Sequence, residues 1–360
     1  MNVDLCAVAI ITLLIVMKNG YVTSDIVGIW RLEMTRFFHS IFGSPTTTES
    51  NYPESLIKAA IEHAVDGTDP WIRAVSGYRK KLRPAVERAI DYVVALVDGM
   101  EPPIEMGPDI FDEDPQLHTF FISTTDMRKI VKNDLNLAHF LSEKNGSLSS
   151  VYALLVMEKQ EKVILGAELS GEIIQYGVPH TVVSFEGHRL IDPTESKDET
   201  LHQLKRRVFN HLLILALRRI TIVKTEHEKL ERYRALLQSK LNLLHRSGWG
   251  FDKTAADEQL DVYDIENLLE RIETNLLELG GDDNMIEVYL EIVIDVLNQP
   301  EENLWFRKET SIIDHMGIKR SKTASDTREA IFNVICNSEG HNFVVSLVSL
   351  SGDMIQKITH

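Results

Sequence analysis

His180, His188 and Asp192 are residue types that can ligate a divalent metal. On one continuous strand their even spacing would bring all three to one face. Gly187 interrupts that reading, because Glu186-Gly187-His188 predicts a hairpin turn. The three side chains are therefore expected in turns and on the surface, with no metal centre.

A second group, Asp109, Asp112, Glu113 and Asp114, could offer carboxylate oxygens to Ca²⁺. It lies between Glu101 and Pro115, in a stretch that also holds Pro102, Pro103 and Pro108. The EF-hand ligand spacing is missing, so this segment reads as a solvated loop. Cys336 sits between apolar residues of a predicted strand and reads as a buried structural thiol. Cys6 is the only other cysteine, so a disulfide framework and paired Cys/His zinc motifs are both excluded. His211 stands among leucines on a long helix, as a core histidine or a pH-sensitive position.

Phosphate-cradling GxxxxGK[ST] and GxGxxG loops, the GxSxG elbow and the HExxH helix are all missing. No catalytic residue, cofactor or metal is assigned from these motifs. Trp71, Trp249 and Trp305 read as packing anchors. Trp249 and Phe251, in Ser247-Gly248-Trp249-Gly250-Phe251, are the candidate partner contacts because that tip reads as exposed.

The elements that must position these groups follow from periodicity. Leu56, Ala60, Ile61 and Ala64 recur at helical spacing after Pro53. Val86, Ala89, Ile90, Val93, Val94 and Val97 mark a second helix, read as starting at Pro84 and ending near Gly99. Ser123 or Thr124 caps a helix through Val131, and Asp134 caps one through Ser142. The segments 151–157 and 163–169 flank a polar turn at 158–162, and 181–185 and 189–192 flank the turn at Gly187. Three further extended segments, 304–313, 331–335 and 343–350, follow near the C-terminus.

Between the strand groups lie residues 201–246, helical in pattern and free of Gly and Pro. This segment carries eleven bases and three acids, a balance of +8. Residues 257–302, also helical, carry fifteen acids and one base, a balance of −14. Leu201, Leu204, Val208, Leu212 and Leu215 form one apolar stripe; Leu230, Tyr233, Leu237, Leu241 and Leu244 form another. The two segments are expected to pack antiparallel, the apolar stripes supplying the energy and the charges setting pairing and register.

The fold class is α+β: N-terminal helices, an antiparallel sheet of about six or seven strands, and a long antiparallel helical hairpin inserted between strands. The expected divisions are a leader and linker (1–52), a helical region (53–147), and a sheet region (148–360) with the hairpin at 197–299. Leu5 to Met17 is an apolar run, short for a spanning helix of ~20 residues. It reads as an anchor, as a buried or disordered leader, or as a sign that translation begins at Met34. Membrane association is expected only on the first of these readings.

The 360 residues carry a net charge of −16, which disfavours broad attraction to nucleic acid. The expectation is a non-enzymatic, cytoplasmic interaction or scaffold protein, with a protein partner or self-association. The alternatives are an enzyme with an unrecognised site, and nucleic-acid binding through the basic helix 201–246 by Arg206, Arg207, Arg218 and Arg219.

Overall fold

The computed structural model describes residues 52–111, 113–144, 148–170, 173–246, 262–314, 317–320 and 328–359. The expectations for Leu5–Met17, Met34, Asp112, Trp249 and Phe251 lie outside the described residues. Residues from Pro53 onward form one compact unit, of α+β class with the helical hairpin between β3 and β4.

The chain begins with α1 (Glu54–Asp66), whose Leu56, Ile57, Ala60, Ile61 and Ala64 are buried. Asp69 caps a short 3₁₀ turn at Pro70–Ala74, accepting from the Trp71 amide. Helix α2 (Tyr78–Asp98) starts a turn and a half before the expected Pro84, which lies inside it. Pro84 lacks an amide to donate back to residue 80, but the apolar face beyond it is buried and holds the helix through the missing bond.

Glu101–Pro115 is not wholly loop. Ile104–Met106 forms β1, paired parallel to β6 with Ile104 opposite Val348. A three-residue strand between prolines has too little pattern to read locally; only its distant partner defines it. Three short helices follow: α3 (Pro115–Phe120), α4 (Thr124–Asn133) and α5 (Leu135–Glu143). Asp114, Ser123 and Asp134 cap them through their side chains.

The largest correction concerns the next region. The two expected hairpins are one: β2 (Ser150–Ser170) runs antiparallel to β3 (Ile173–Thr194) along their length. Glu158–Lys162 is strand, not turn, and so is Glu186–His188. Gly187 does have the positive φ that a turn would need, +67°. It uses that conformation in a β-bulge, where the register slips between Val156 and Glu158. A bulge and a turn leave the same glycine signature, and the polar residues 158–162 are exposed or half-buried strand positions.

Beyond the hairpin come α6 (Lys197–Arg246), α7 (Val262–Glu278), α8 (Gly281–Asn298) and α9 (Pro300–Asn303). The β-branched run Ile220–Val223 could bend α6, yet the helix is continuous through it. Gly280, at φ +121°, directly precedes α8. Strands β4 (Leu304–Ile313), β5 (Arg328–Asn337) and β6 (Asn342–Ser351) and a final helix, α10 (Gly352–Thr359), complete the described chain.

The sheet order is β3-β2-β6-β5-β4, with β1 on β6. Strands that precede the helical insertion therefore zip directly to strands that follow it, Val151 opposite Leu350 and Met157 opposite Val344. Val151, Ala153, Leu155 and Met157 point into one core with Phe120, Phe121, Met127 and Leu137 of the short helices. Leu154 and Val156 are buried on the opposite face, and α6 packs on β2 and β3. Residues 317–320 link the two edge strands. The Val183 amide donates to the Gly317 carbonyl at 2.9 Å, the Lys319 amide to Thr181 at 2.8 Å, and the Arg320 amide to Ile312 at 2.9 Å. One short segment thus bonds to both edge strands, and Phe185 of β3 lies 5.5 Å from Phe332 of β5.

Candidate functional site

Helix α6 has two halves with different surroundings. Its first half is buried through Leu204, Val208, Phe209, Leu212, Leu213, Ala216 and Ile220, against α2, α8 and the sheet. Its second half packs on α7. There Leu237, Ile265, Ile272 and Leu276 form a small separate core, bordered by Leu230, Leu241, Leu268 and Leu269. The inner face of each helix repeats at three- and four-residue steps, so each side chain meets the facing helix.

Tyr233 belongs elsewhere. It is 43% exposed, and with Leu236 (64%) and Leu243 (64%) it forms a second stripe. The steps 233, 236, 240 and 243 are again 3-4-3, with Lys240 at the third position. At 100° per residue this stripe lies about a third of a turn from the α7 seam. Ile222 extends it at 61% exposure. The 3-4-3 pattern is present in the sequence, but a single helix can carry two such registers and only the partner's position separates them.

The charges do less within the hairpin than expected. Arg219 reaches Asp295 of α8 at 3.0 Å. Lys205 pairs with Asp98 of α2, Arg207 with Asp192 of β3, and Arg218 with Glu339 in the β5–β6 turn. Farther out, Lys229, Arg232 and Arg234 pair with Glu226, Glu228 and Glu231 of their own helix. Glu266, Glu270, Glu273 and Glu278 of α7 are exposed. They form no ion pair among the described residues. The apolar seam therefore supplies the hairpin's energy, while much of the α6 charge anchors it to other elements.

The ribbon of β2 and β3 also extends past its support. Met157 is the last β2 residue paired with β6. Beyond it Val163, Ile164, Leu165 and Tyr176 are exposed. His180 pairs with Ile164 and leans over Gly166, where an added Cβ would stand 2.6 Å from its Cδ2. Gly166 thus provides the slot that the imidazole occupies.

His180, His188 and Asp192 do not meet in one site. His180 is buried beside Gly166. His188 stacks on Phe121 at 4.9 Å, with Nε2 2.7 Å from the Phe120 carbonyl. Burial pushes its pKa down, the Phe120 carbonyl and the Asp126 charge opposing. Asp192 holds Arg207 through two hydrogen bonds. Among the described residues no three His, Cys, Asp or Glu side chains are grouped to hold a metal ion.

The remaining expected residues are dispersed. Asp114 caps α3. Cys336 is 2% exposed, opposite Trp305 in the β4–β5 pairing, and burial raises its thiol pKa. Trp305 packs against the sheet core, whereas Trp71 is 71% exposed and anchors nothing. His211 is half-buried, with a buried Nε2 that has no hydrogen-bond partner. Burial lowers its pKa, Glu339 pulls it upward and His341 pushes it down. Among the described residues no helix is long and apolar enough to cross a membrane. Comparisons with protein-family models, curated proteins and solved structures find no match.

Proposed function

We propose that this chain is a non-enzymatic interaction or scaffold protein, with the α6–α7 hairpin as its contact element. One observation carries the reading: the outer half of α6 keeps a second apolar stripe, Tyr233, Leu236 and Leu243, exposed beside its own α7 seam. Solvated helix faces rarely carry three large apolar residues in register, and such stripes mark helix docking surfaces. The dispersal of His180, His188 and Asp192 supports a non-catalytic role. So does the use of Arg207, Arg218 and Arg219 in intramolecular ion pairs, which leaves less positive charge for a polyanion. Two cysteines, one a buried thiol, suit the reducing cytoplasm.

A photocrosslinking amino acid placed at Leu236 of the full chain in cells tests this. The reading expects a discrete covalent adduct that is lost when the photocrosslinker is moved to the solvated Gln238. Absence of any adduct at Leu236 and at Leu243 rejects it.

A further inference from the structure

The long ribbon of β2 and β3 has one usable edge. Strand β6 pairs with β2 as far as Met157, opposite Val344, and begins two residues before Val344, at Asn342. From Gln160 onward β2 therefore has β3 on one side and, among the described residues, no strand on the other. The opposite edge of the ribbon is obstructed. Residues 317–319 already bond to β3 at Thr181 and Val183. Pro179 has no amide to donate. Gly177, at φ +77°, sits where the register slips between Gly166 and Ala167. A covering segment, a proline and a bulge are devices that guard edge strands against pairing. Strand β2 has none of the three between Gln160 and Gly166. In the middle of that stretch stand Val163 (69% exposed), Ile164 (46%) and Leu165 (76%). Two strands alone in water are marginally stable, so an apolar, unguarded edge on such a ribbon is a pairing surface.

We propose that this edge of β2 pairs antiparallel with the same edge of a second copy of the chain, joining two ribbons into a four-stranded sheet. This goes beyond the helix-docking reading above, because it uses a different surface. The sequence of the edge itself selects a second copy. A two-fold axis through Ile164 lays residues 161–167 on themselves. The two Ile164 side chains then meet, and Val163 of each copy faces Leu165 of the other. Lys162 faces Gly166 and Glu161 faces Ala167, so no charge meets a like charge. Parallel pairing in register would set Glu161 on Glu161 and Lys162 on Lys162. Moving the axis to Val163 would set Lys162 against Ile164 and Glu161 against Leu165. The axis at Ile164 alone among these keeps apolar against apolar. Because each chain offers one clean edge, pairing closes at two copies.

Sedimentation equilibrium of the full chain over roughly 1–100 µM tests the proposal through the concentration dependence of mass. The expected result is a monomer–dimer equilibrium. Val163→Lys with Leu165→Lys in one chain sets like charges opposite each other and should weaken it roughly tenfold or more. Val163→Glu with Leu165→Glu should weaken it similarly, while mixing these two chains should restore a dimer. Val163→Lys with Leu165→Glu places opposite charges across the axis in every copy and should dimerise by itself. Both side chains are exposed, so circular dichroism should stay unchanged in all variants. A monomer at every concentration overturns the proposal, as does a dimer that the double lysine variant leaves intact. Failure of the lysine and glutamate chains to restore each other overturns it too. None of these substitutions touches α6, so the helix-docking reading stands or falls on the Leu236 crosslink alone.

Discussion

Arg207 of α6 grips Asp192 of β3 with two hydrogen bonds, Nε to Oδ2 at 2.8 Å and Nη2 to Oδ1 at 2.7 Å. This bidentate pair joins the long helix to the strand end that leads into it, across fifteen residues of chain. Asp192 has φ +49°, a left-handed conformation uncommon for a side-chain-bearing residue other than Asn or Asp. Burial works against the charged guanidinium, but the Asp192 hydrogen bonds and charge outweigh it and raise the Arg207 pKa. The pair therefore holds a strained backbone turn in place and aims α6 back across the sheet.

Removing Arg207 should then cost more than a surface ion pair. Arg207→Ala leaves the Asp192 carboxylate mostly buried and without its partner, at about 2–4 kcal/mol. Arg207→Lys should recover only part of this, because an ammonium cannot make the two-pronged contact. Urea unfolding of the three proteins measures it. A loss below about 1 kcal/mol for Arg207→Ala would assign the anchoring of α6 to its apolar packing alone.

Stability should fall on mild acidification. His63 and His188 are both held below the ordinary value of 6.5 by burial, partly offset by Asn210 and the Phe120 carbonyl respectively. A depressed folded pKa means the unfolded chain binds protons first, so stability rises with pH across this window. The full contribution is present above pH 6.5. It declines below that pH and levels off beneath the depressed folded values. His188→Gln should flatten part of the decline while lowering stability at neutral pH, since it also loses the stacking on Phe121. Urea midpoints at several pH values between roughly 5 and 8 check the slope. A stability that is flat across that range would show that both imidazoles protonate without penalty.

The fold is legible in the sequence where a segment's own pattern decides its fate. The α6 and α7 stripes, the Ser123 and Asp134 caps, and the closing strands β4 to β6 follow from local periodicity and cap chemistry. Legibility ends where a distant partner decides. Gly187 marks a bulge because β2 lies opposite it; Ile104–Met106 becomes a strand because Val348 lies beside it. The charge balance on α6 and α7 is plain in the sequence, but its use is not, because Arg207, Arg218 and Lys205 find carboxylates on β3, the β5–β6 turn and α2. Spacing alone puts Tyr233 on the inner seam for a similar reason, since it fixes a residue's neighbours on its own helix and not which neighbouring helix it meets. As for the site, the strand residues His180, His188 and Asp192 share a parity argument that two register slips remove, one at Gly187 and one between Ile191 and Thr194.

The outer hairpin should open independently of the rest of the molecule. Its private core is four buried residues, Leu237, Ile265, Ile272 and Leu276, while the sheet core contains many times that number. The free energy of local opening scales with the apolar surface it exposes, so α7 amides should exchange with deuterium well before those of β2 and β6. Leu237→Ala removes the α6 side of this core and leaves a cavity, worth about 2–4 kcal/mol where the surroundings cannot collapse. That destabilisation should appear as faster exchange across residues 230–246 and α7, with β2 and β6 almost unchanged. Hydrogen exchange read by mass spectrometry resolves the two regions. If Leu237→Ala instead accelerates exchange equally through the sheet, the hairpin and the sheet open as one cooperative unit.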